Sequence, residues 1–151
     1  QQWQIAVLNE TNDLSAKITT LEQIAAAPCA SSDAKAAAIY SVGVNHWQCA
    51  YDLTTRYANK RLLNYEPFHY RKITAPADAQ KFADCVQKGM AAIDKALEIS
   101  PEYGEAWSYR SLFYRERQKA AATEAERNQF SEEAEKAARK AIELMQKYRN
   151  R

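Results

Sequence analysis

The chain has 151 residues, a length that suits one domain, and its 3 glycines and 4 prolines are too few for the turns of a many-stranded β protein. Its 21 basic and 19 acidic side chains leave a net charge of +2, without the polybasic tract typical of nucleic-acid-binding proteins. No window approaches the run of about 18 apolar residues that a membrane span needs. Composition therefore predicts an all-α protein, and neither a nucleic acid partner nor a membrane span is expected.

Residues 1–12 are predicted to form an N-terminal arm. Trp3, Ile5 and Val7 would share one face of an extended strand, while Leu8 breaks the alternation, so a frayed helix stays open as the alternative. An apolar strand face needs a surface to cover it. We interpret Trp3, Ile5 and Val7 as a self-association arm, which folds back on its own chain or docks onto a neighbouring copy.

Apolar residues at helical spacing predict five helices after the arm. They comprise residues 13–28, a helix that begins near Ser31 and continues past Tyr51, one from about Phe82 to Ile99, one from about Glu102 to Lys119, and one that carries Phe130 and Met145. The periodicity fails over residues 58–77, where two prolines each disfavour helix in the preceding residue. We interpret this segment as an ordered insertion, because it holds too many aromatic rings for a slack linker.

Two helix ends repeat each other at an interval of 45 residues. Residues 91–100 and 136–145 share a pattern of alanine and branched apolar side chains, in which Leu97 corresponds to Ile142. A proline then separates the first copy from a helix that opens with Trp107. The interval lies within the range of helical solenoids. The junction resembles that of the tetratricopeptide repeat (TPR) family, in particular secreted bacterial members with lengthened hairpins, which implies antiparallel helix hairpins stacked as a short α-solenoid.

The resemblance can be followed residue by residue. In repeat two, the family's large, small and aromatic positions fall on Trp107, Ser111 and Tyr114, and the small positions of the second helix fall on Ala134, Ala138 and Ala141. In repeat one, the leucine–glycine positions fall on Val42 and Gly43, and the second helix carries Gly89, Ile93 and Ala96. Arg110 departs from the pattern, because that position is usually leucine.

The prediction is a single TPR-like helical domain over residues 1–151, of which the resemblance covers about 33–148. Its parts are the arm 1–12, a partial repeat 13–28, repeat one 33–100 with the insertion 58–77, and repeat two 101–149 with a shorter insertion near 118–129. The last helix looks polar enough to cap such a stack. An ordinary helical bundle with alanine-rich seams is the alternative.

The cysteines predict one disulfide. If Gly43 faces Gly89 across an antiparallel helix pair, residues further along the two helices also pair in register. Cys49 and Cys85 then lie at nearly the same level, within bridging distance, although two buried free thiols are the alternative. Cys29 is predicted to be a free thiol. A disulfide suits export to a periplasmic or extracellular compartment. Removal of a signal peptide would explain a chain that opens with glutamine, and so would other trimming of the N-terminus.

Two binding sites are kept as alternatives, although we predict no bound metal. A zinc site could use four side chains, His46, Cys49, Cys85 and His69. Basic and aromatic side chains also alternate around the insertion, as they do in single-stranded nucleic-acid sites: Arg56, Tyr57, Lys60, Arg61, Tyr65, Phe68, Tyr70, Arg71 and Lys72. We favour the interpretation that these rings hold the insertion onto its hairpin while the charges stay solvated.

No catalytic constellation emerges from the sequence. There are 2 histidines, and neither lies near a serine or cysteine in a nucleophile motif. There is also no glycine-rich phosphate loop. The sequence therefore predicts neither an enzyme nor a cofactor.

The TPR resemblance implies a concave groove lined by the first helix of each hairpin. The groove positions of the family fall on Tyr40, Val44 and Trp47 in repeat one, and on Leu112, Arg115 and Glu116 in repeat two. Chaperone-binding members clamp a C-terminal carboxylate with lysines and asparagines, whereas this chain has Tyr40 and Val44 at the matching positions. An apolar peptide or helix is therefore the expected ligand, with Trp47 and Tyr40 as anchors. The alternative is that these aromatic residues belong to the core.

The sequence thus predicts a non-enzymatic TPR-like scaffold that mediates protein–protein contacts, with self-association as a variant. The first alternative is a structural subunit of a homopolymeric filament or ring joined head to tail, because the partial repeat 13–28 lacks a visible partner helix. The second alternative is a small helical metal- or nucleic-acid-binding protein.

Overall fold

A computed structural model describes residues 13–58 and 72–150 of the chain. The secondary structure of these residues consists of five helices: α1 (Leu14–Ala26), α2 (Ser32–Arg56), α3 (Pro76–Ile99), α4 (Gly104–Ala120) and α5 (Glu124–Arg149). The predicted all-α class is confirmed for this part of the chain. The arm 1–12, with Trp3, Ile5 and Val7, lies outside the described residues.

The helices begin where the sequence supplies partners for their first free amides. The side chains of Asp13, Ser31 and Thr123 accept hydrogen bonds from the backbone amides of Ala16, Ala34 and Glu126, at 3.1, 3.1 and 3.2 Å. At the start of α3, Pro76 needs no such partner because proline has no amide hydrogen. Polar N-caps of this kind typically stabilise a helix by about 1 kcal/mol.

Each helix packs on the helix that precedes or follows it along the described chain, and α2 also packs on α4. The α2–α3 pair is antiparallel, since Gly43 lies against Gly89 while Cys49 bonds to Cys85. The α4–α5 pair is antiparallel too, since Gly104 at the start of α4 lies near Leu144 of α5, while Ser111 Oγ donates a 2.8 Å hydrogen bond to the carbonyl oxygen of Ala134. Helices α2 and α4 run in the same direction, because Tyr40 lies beside Tyr103 and, further along both helices, Thr54 bonds to Glu116.

The core lies where α2, α3 and α4 meet. Gly43 and Gly89 allow α2 and α3 to approach closely, and the Phe113 ring of α4 occupies the space above Gly89. Phe113 and Ile93 are fully buried in this cluster. A smaller cluster around Leu21 packs α1 onto the other side of α2. The expected contact between Gly43 and Gly89 is therefore present.

Both predicted insertions, 58–77 and 118–129, are shorter in the structure than the sequence suggested. The segment 118–129 is mostly helical, because α4 continues to Ala120 and α5 begins at Glu124, so repeat two has longer helices rather than a longer loop. The segment 58–77 ends earlier than predicted, since Pro76 and Ala77 already belong to α3. Residues 59–71 lie outside the described part of the chain. Tyr57 Oη donates a 2.9 Å hydrogen bond to Asp78, so the two ends of this connection lie close together.

Arg110, which stands where the TPR pattern usually has leucine, has partners at the α3–α4 junction. It forms an ion pair with Asp94 of α3, and its guanidinium lies 5.8 Å from the centre of the Trp107 ring. Trp107 Nε1 in turn donates a 2.9 Å hydrogen bond to the carbonyl oxygen of Pro101. A leucine at position 110 would lack these interactions, which join the two hairpins. Among the helices described, none is long and apolar enough to cross a membrane.

Candidate functional site

The parallel helices α2 and α4 present an aromatic cluster, which we define as Tyr40, Trp47, Tyr51, Tyr103 and Tyr109. The three α2 residues follow one face of the helix because their spacing is seven and then four residues. Val44 falls between them at the same helical spacing. The predicted groove residues of repeat one therefore share one face.

Tyr109 is the residue that joins the cluster across the two helices. Its ring meets both Tyr40 and Trp47 edge to face, with ring centres 5.5 Å apart in each case. Tyr103, just before α4, lies 4.9 Å from Tyr40, and Tyr51 stacks on Trp47 at 5.1 Å. These separations are in the favourable range for aromatic pairs. The cluster thus spans about three turns of α2.

The cluster is buried at one end and open at the other. Burial raises the pKa of Tyr40, and the nearby Tyr109, Tyr103 and Glu105 raise it further. Burial also raises the pKa of Tyr103, with a smaller contribution from Glu105. At the other end, Tyr51 is 39% exposed, and the Lys119 ammonium lies 5.1 Å from the centre of its ring. Tyr40 and Tyr103 are partly buried and pack against the core, while Tyr51 is accessible to a partner.

The three predicted groove residues of α4 do not lie together. Leu112 is 36% exposed, as expected for a groove residue. Arg115 instead turns toward α5, where its guanidinium donates to Ser131 Oγ at 3.3 Å. Glu116 is only 2% exposed and is a buried interhelical residue, not a surface one.

Glu116 lies between α2 and α4 below the aromatic cluster. It accepts a 2.6 Å hydrogen bond from Thr54 Oγ1 and pairs with the Lys119 ammonium at 2.7 Å. A buried carboxylate requires such partners, because leaving it unpaired is strongly unfavourable. Its role is to hold the two parallel helices together, and a ligand could not reach it without separating them.

Sequence reasoning did not single out Tyr51, Tyr103 or Tyr109. Tyr51 could have been found by extending the α2 face by one turn beyond Trp47. Tyr103 and Tyr109 could not, because their positions depend on how far α4 is displaced along α2. That displacement follows from the packing of α4 on the first hairpin, which the repeat interval does not reveal.

The disulfide between Cys49 and Cys85 is confirmed, with Cα atoms 6.1 Å apart, and Cys29 is exposed and unbridged. A bridged sulfur is not the thiolate that zinc binds, so the zinc alternative loses two of its four ligands. No cluster of three or more candidate ligands occurs within residues 13–58 and 72–150. His46 lies beside the α2–α3 crossing, where burial lowers its pKa, Lys88 lowers it further and Glu22 partly opposes both.

The basic and aromatic residues of the proposed nucleic-acid site are described only in part. Arg56 lies 3.7 Å from Asp78, and Tyr57 bonds to the same carboxylate. Lys72 is exposed. The remaining members, Lys60, Arg61, Tyr65, Phe68, Tyr70 and Arg71, lie outside the described residues, as does His69. Arg56 and Tyr57 both contact Asp78 of α3, so they hold the start of this connection against α3.

No family model, curated protein or solved structure matches this chain. The aromatic face of α2 and α4 and its neighbouring contacts are therefore interpreted from their own geometry.

Proposed function

We propose that the chain is a non-enzymatic, TPR-like scaffold that binds an apolar peptide or helix on the α2–α4 face. The observation that carries this proposal is the accessible end of the aromatic cluster, where Tyr51 is 39% exposed; Leu112 is the exposed large apolar residue of α4. Stacking on Trp47 holds the Tyr51 ring in place, which lowers the entropy lost on binding. Aromatic anchors on a rigid support are common hot spots of protein interfaces.

The charges around this face restrict the ligand further. Glu105 lies near the Tyr40 end, since it raises the pKa of Tyr40, and Lys119 lies over Tyr51 at the other end. A segment with apolar residues in its centre, a basic residue toward Glu105 and an acidic residue toward Lys119 would complement the face. An amphipathic helix offers such an arrangement on one side at i, i+3, i+4 and i+7.

The TPR resemblance also supports a binding site on the α2–α4 face. Stacked helical hairpins place the first helix of each hairpin side by side on one surface, and here α2 and α4 are parallel neighbours. The disulfide is the kind of bond that persists in oxidising compartments, which supports the proposal that the protein is exported. Self-association is a variant of this function.

A peptide-display selection on the purified chain tests the proposal. We expect enrichment of sequences with two or three apolar residues at helical spacing, and loss of their binding in Tyr51→Ala and Leu112→Asp. The control is Ile142→Ala on α5, which removes a more exposed apolar side chain from another surface. Failure to enrich any sequence, or equal loss of binding in all three variants, would contradict the proposal.

A further inference from the structure

The last helix carries large apolar side chains that the described residues leave about half exposed. Ile142 is 53% exposed and Met145 is 44% exposed, although the sequence had suggested a polar capping helix. Together with Ala138 they follow one side of α5 at intervals of four and three residues, a spacing that forms a continuous helical stripe. We call the line Glu135, Ala138, Ile142, Met145 and Arg149 the α5 seam.

The internal repeat shows what such a face does elsewhere in the same molecule. Leu97 of α3 occupies the position that corresponds to Ile142, and it is only 8% exposed. The difference arises because α4 packs on α3, whereas α5 has no following helix among the described residues. The face around Ile142 therefore corresponds to a face that packs on a helix elsewhere in the molecule.

When two α5 helices pair antiparallel, the charges of one α5 seam complement those of the other. Glu135 lies two helical turns before Ile142, and Arg149 lies two turns after it, each about 10 Å away. If two α5 helices cross antiparallel at Ile142, the Glu135 of each copy lies opposite the Arg149 of the other. In the same alignment the small Ala138 lies opposite the long Met145, which avoids a clash at the contact.

The existing ion pairs of α5 do not compete strongly with this arrangement. Glu135 pairs with Arg139 at 3.4 Å, but both side chains are more than half exposed. Exposed pairs on one helix contribute little and exchange easily. A parallel alignment would place Glu135 beside Glu135 and Arg149 beside Arg149, so the charge pattern favours the antiparallel one.

We propose that the α5 seam is the two-fold contact of a homodimer, in which two copies of α5 pack antiparallel about Ile142. The contact is isologous, so it closes at two copies and does not propagate into a filament. One helix pair buries less than the roughly 1,200 Å² of a standard stable interface, so we expect a weak, concentration-dependent dimer. The proposal concerns a different surface from the aromatic cluster and does not depend on the ligand proposed there.

Sedimentation velocity from micromolar to millimolar concentration gives the first test. We expect a monomer–dimer equilibrium, and Ile142→Glu should raise its dissociation constant by at least about tenfold, because it places two charges at the two-fold axis. Glu135→Arg and Arg149→Glu should each weaken the dimer, and the double variant should restore it. A monomer at millimolar concentration, or a double variant no better than the single ones, would overturn the proposal.

Cross-linking distinguishes the two-fold contact from a head-to-tail one. In a Cys29→Ser background, Ile142→Cys should oxidise to a covalent dimer and stop there, because only a two-fold axis brings the same residue of two copies together. Glu98→Cys, also exposed but on α3, is the matched control and should remain monomeric. A full-length chain with Trp3, Ile5 and Val7 changed to serine should still dimerise. Loss of the dimer there, or covalent dimers from Glu98→Cys alone, would refute the two-fold seam.

Discussion

The ring of Phe113 on α4 lies directly against Gly89 on α3. A Cβ atom added to Gly89 would lie 2.6 Å from Phe113 Cε1 and 2.9 Å from the Cβ atom of His46, which is closer than real Cβ atoms approach other heavy atoms. Three helices thus meet at one residue that has no side chain. The contact fixes the position of α4 relative to the first hairpin, and with it the position of the aromatic cluster.

We predict that Gly89→Ala lowers the free energy of unfolding by about 2 kcal/mol. The short contacts place the cost of overpacking at about 3 kcal/mol, the upper end of its usual range, and the gain of roughly 1 kcal/mol in helix propensity leaves a net loss of about 2 kcal/mol. For a chain of this length, the loss corresponds to a drop in Tm of about 4–8 °C. Urea denaturation followed by circular dichroism measures it.

Gly104→Ala is the matched control for that substitution. The nearest atom to a Cβ on Gly104 would be Met145 Cγ at 3.5 Å, an ordinary contact, so the variant should be neutral or slightly more stable. Phe113→Leu in the Gly89→Ala background should recover part of the loss by shortening the opposing side chain. Equal effects of the two glycine substitutions would show that Phe113 does not restrict Gly89.

Several features of this fold could be predicted from sequence because they depend on local chemistry. Ser31 marks the start of α2, since an N-cap oxygen acts within one turn, whereas Pro76, which begins α3, falls within the insertion predicted from the sequence. The Cys49–Cys85 pairing followed from one assumed contact, because antiparallel helices keep their register over two turns. Such inferences need no knowledge of distant parts of the chain.

The burial of Glu116 could not be predicted in the same way. A glutamate on an amphipathic helix is normally exposed, and its partner Thr54 lies 62 residues earlier in the chain. Only the packing of α4 on α2 brings the two together. The same packing places Tyr109 between Tyr40 and Trp47, which is why the aromatic cluster, unlike the individual α2 residues, emerged only from the structure.

The buried carboxylate of Glu116 leads to the second prediction. Lys119→Met should lower the free energy of unfolding by about 3–5 kcal/mol, because it removes the cation beside a carboxylate that is 2% exposed. Thr54→Val should cost about 1–3 kcal/mol, since one oxygen of Glu116 loses its hydrogen-bond donor. Chemical denaturation of the single variants gives both values.

The double variant Glu116→Gln/Lys119→Met separates the effect of charge from the effect of packing around residue 116. Glu116→Gln should recover much of the stability lost in Lys119→Met, because a neutral amide needs no buried cation. Lys95→Met removes a lysine from a solvent-exposed ion pair with Glu98 and should leave stability nearly unchanged. If Lys119→Met were as harmless as Lys95→Met, the network would not hold α2 and α4 together.

The disulfide gives a third prediction. Because the bridge joins residues 36 positions apart, reduction should lower the free energy of unfolding by roughly 3–4 kcal/mol through the greater entropy of the unfolded chain. Urea titration with and without a reducing agent measures the difference. Cys49→Ala/Cys85→Ala should match the reduced protein, and Cys29→Ala should match the oxidised one. Identical midpoints with and without reductant would contradict this expectation.

The fourth prediction concerns the pH dependence of stability at His46. Its side chain lies between α1 and α3, where Glu22 and Lys88 are the charged residues that face it. Burial lowers the pKa of His46 below its ordinary value of 6.5, and Lys88 acts in the same direction. The unfolded chain therefore binds a proton at a higher pH than the folded one, so the free energy of unfolding should decrease as the pH falls below about 6.5 and level off below the folded pKa.

The two histidines of the chain allow a controlled measurement of this slope. Urea midpoints of the parent chain and of His46→Gln, taken between pH 8 and about pH 5, should diverge because the variant lacks the titrating imidazole. His69→Gln removes the other histidine, so comparing the two variants shows whether the slope belongs to His46. Lys88→Met should reduce the slope, since it removes the cation that adds to the effect of burial. A slope that survives in His46→Gln but disappears in His69→Gln would assign the titration to the wrong histidine and contradict the prediction.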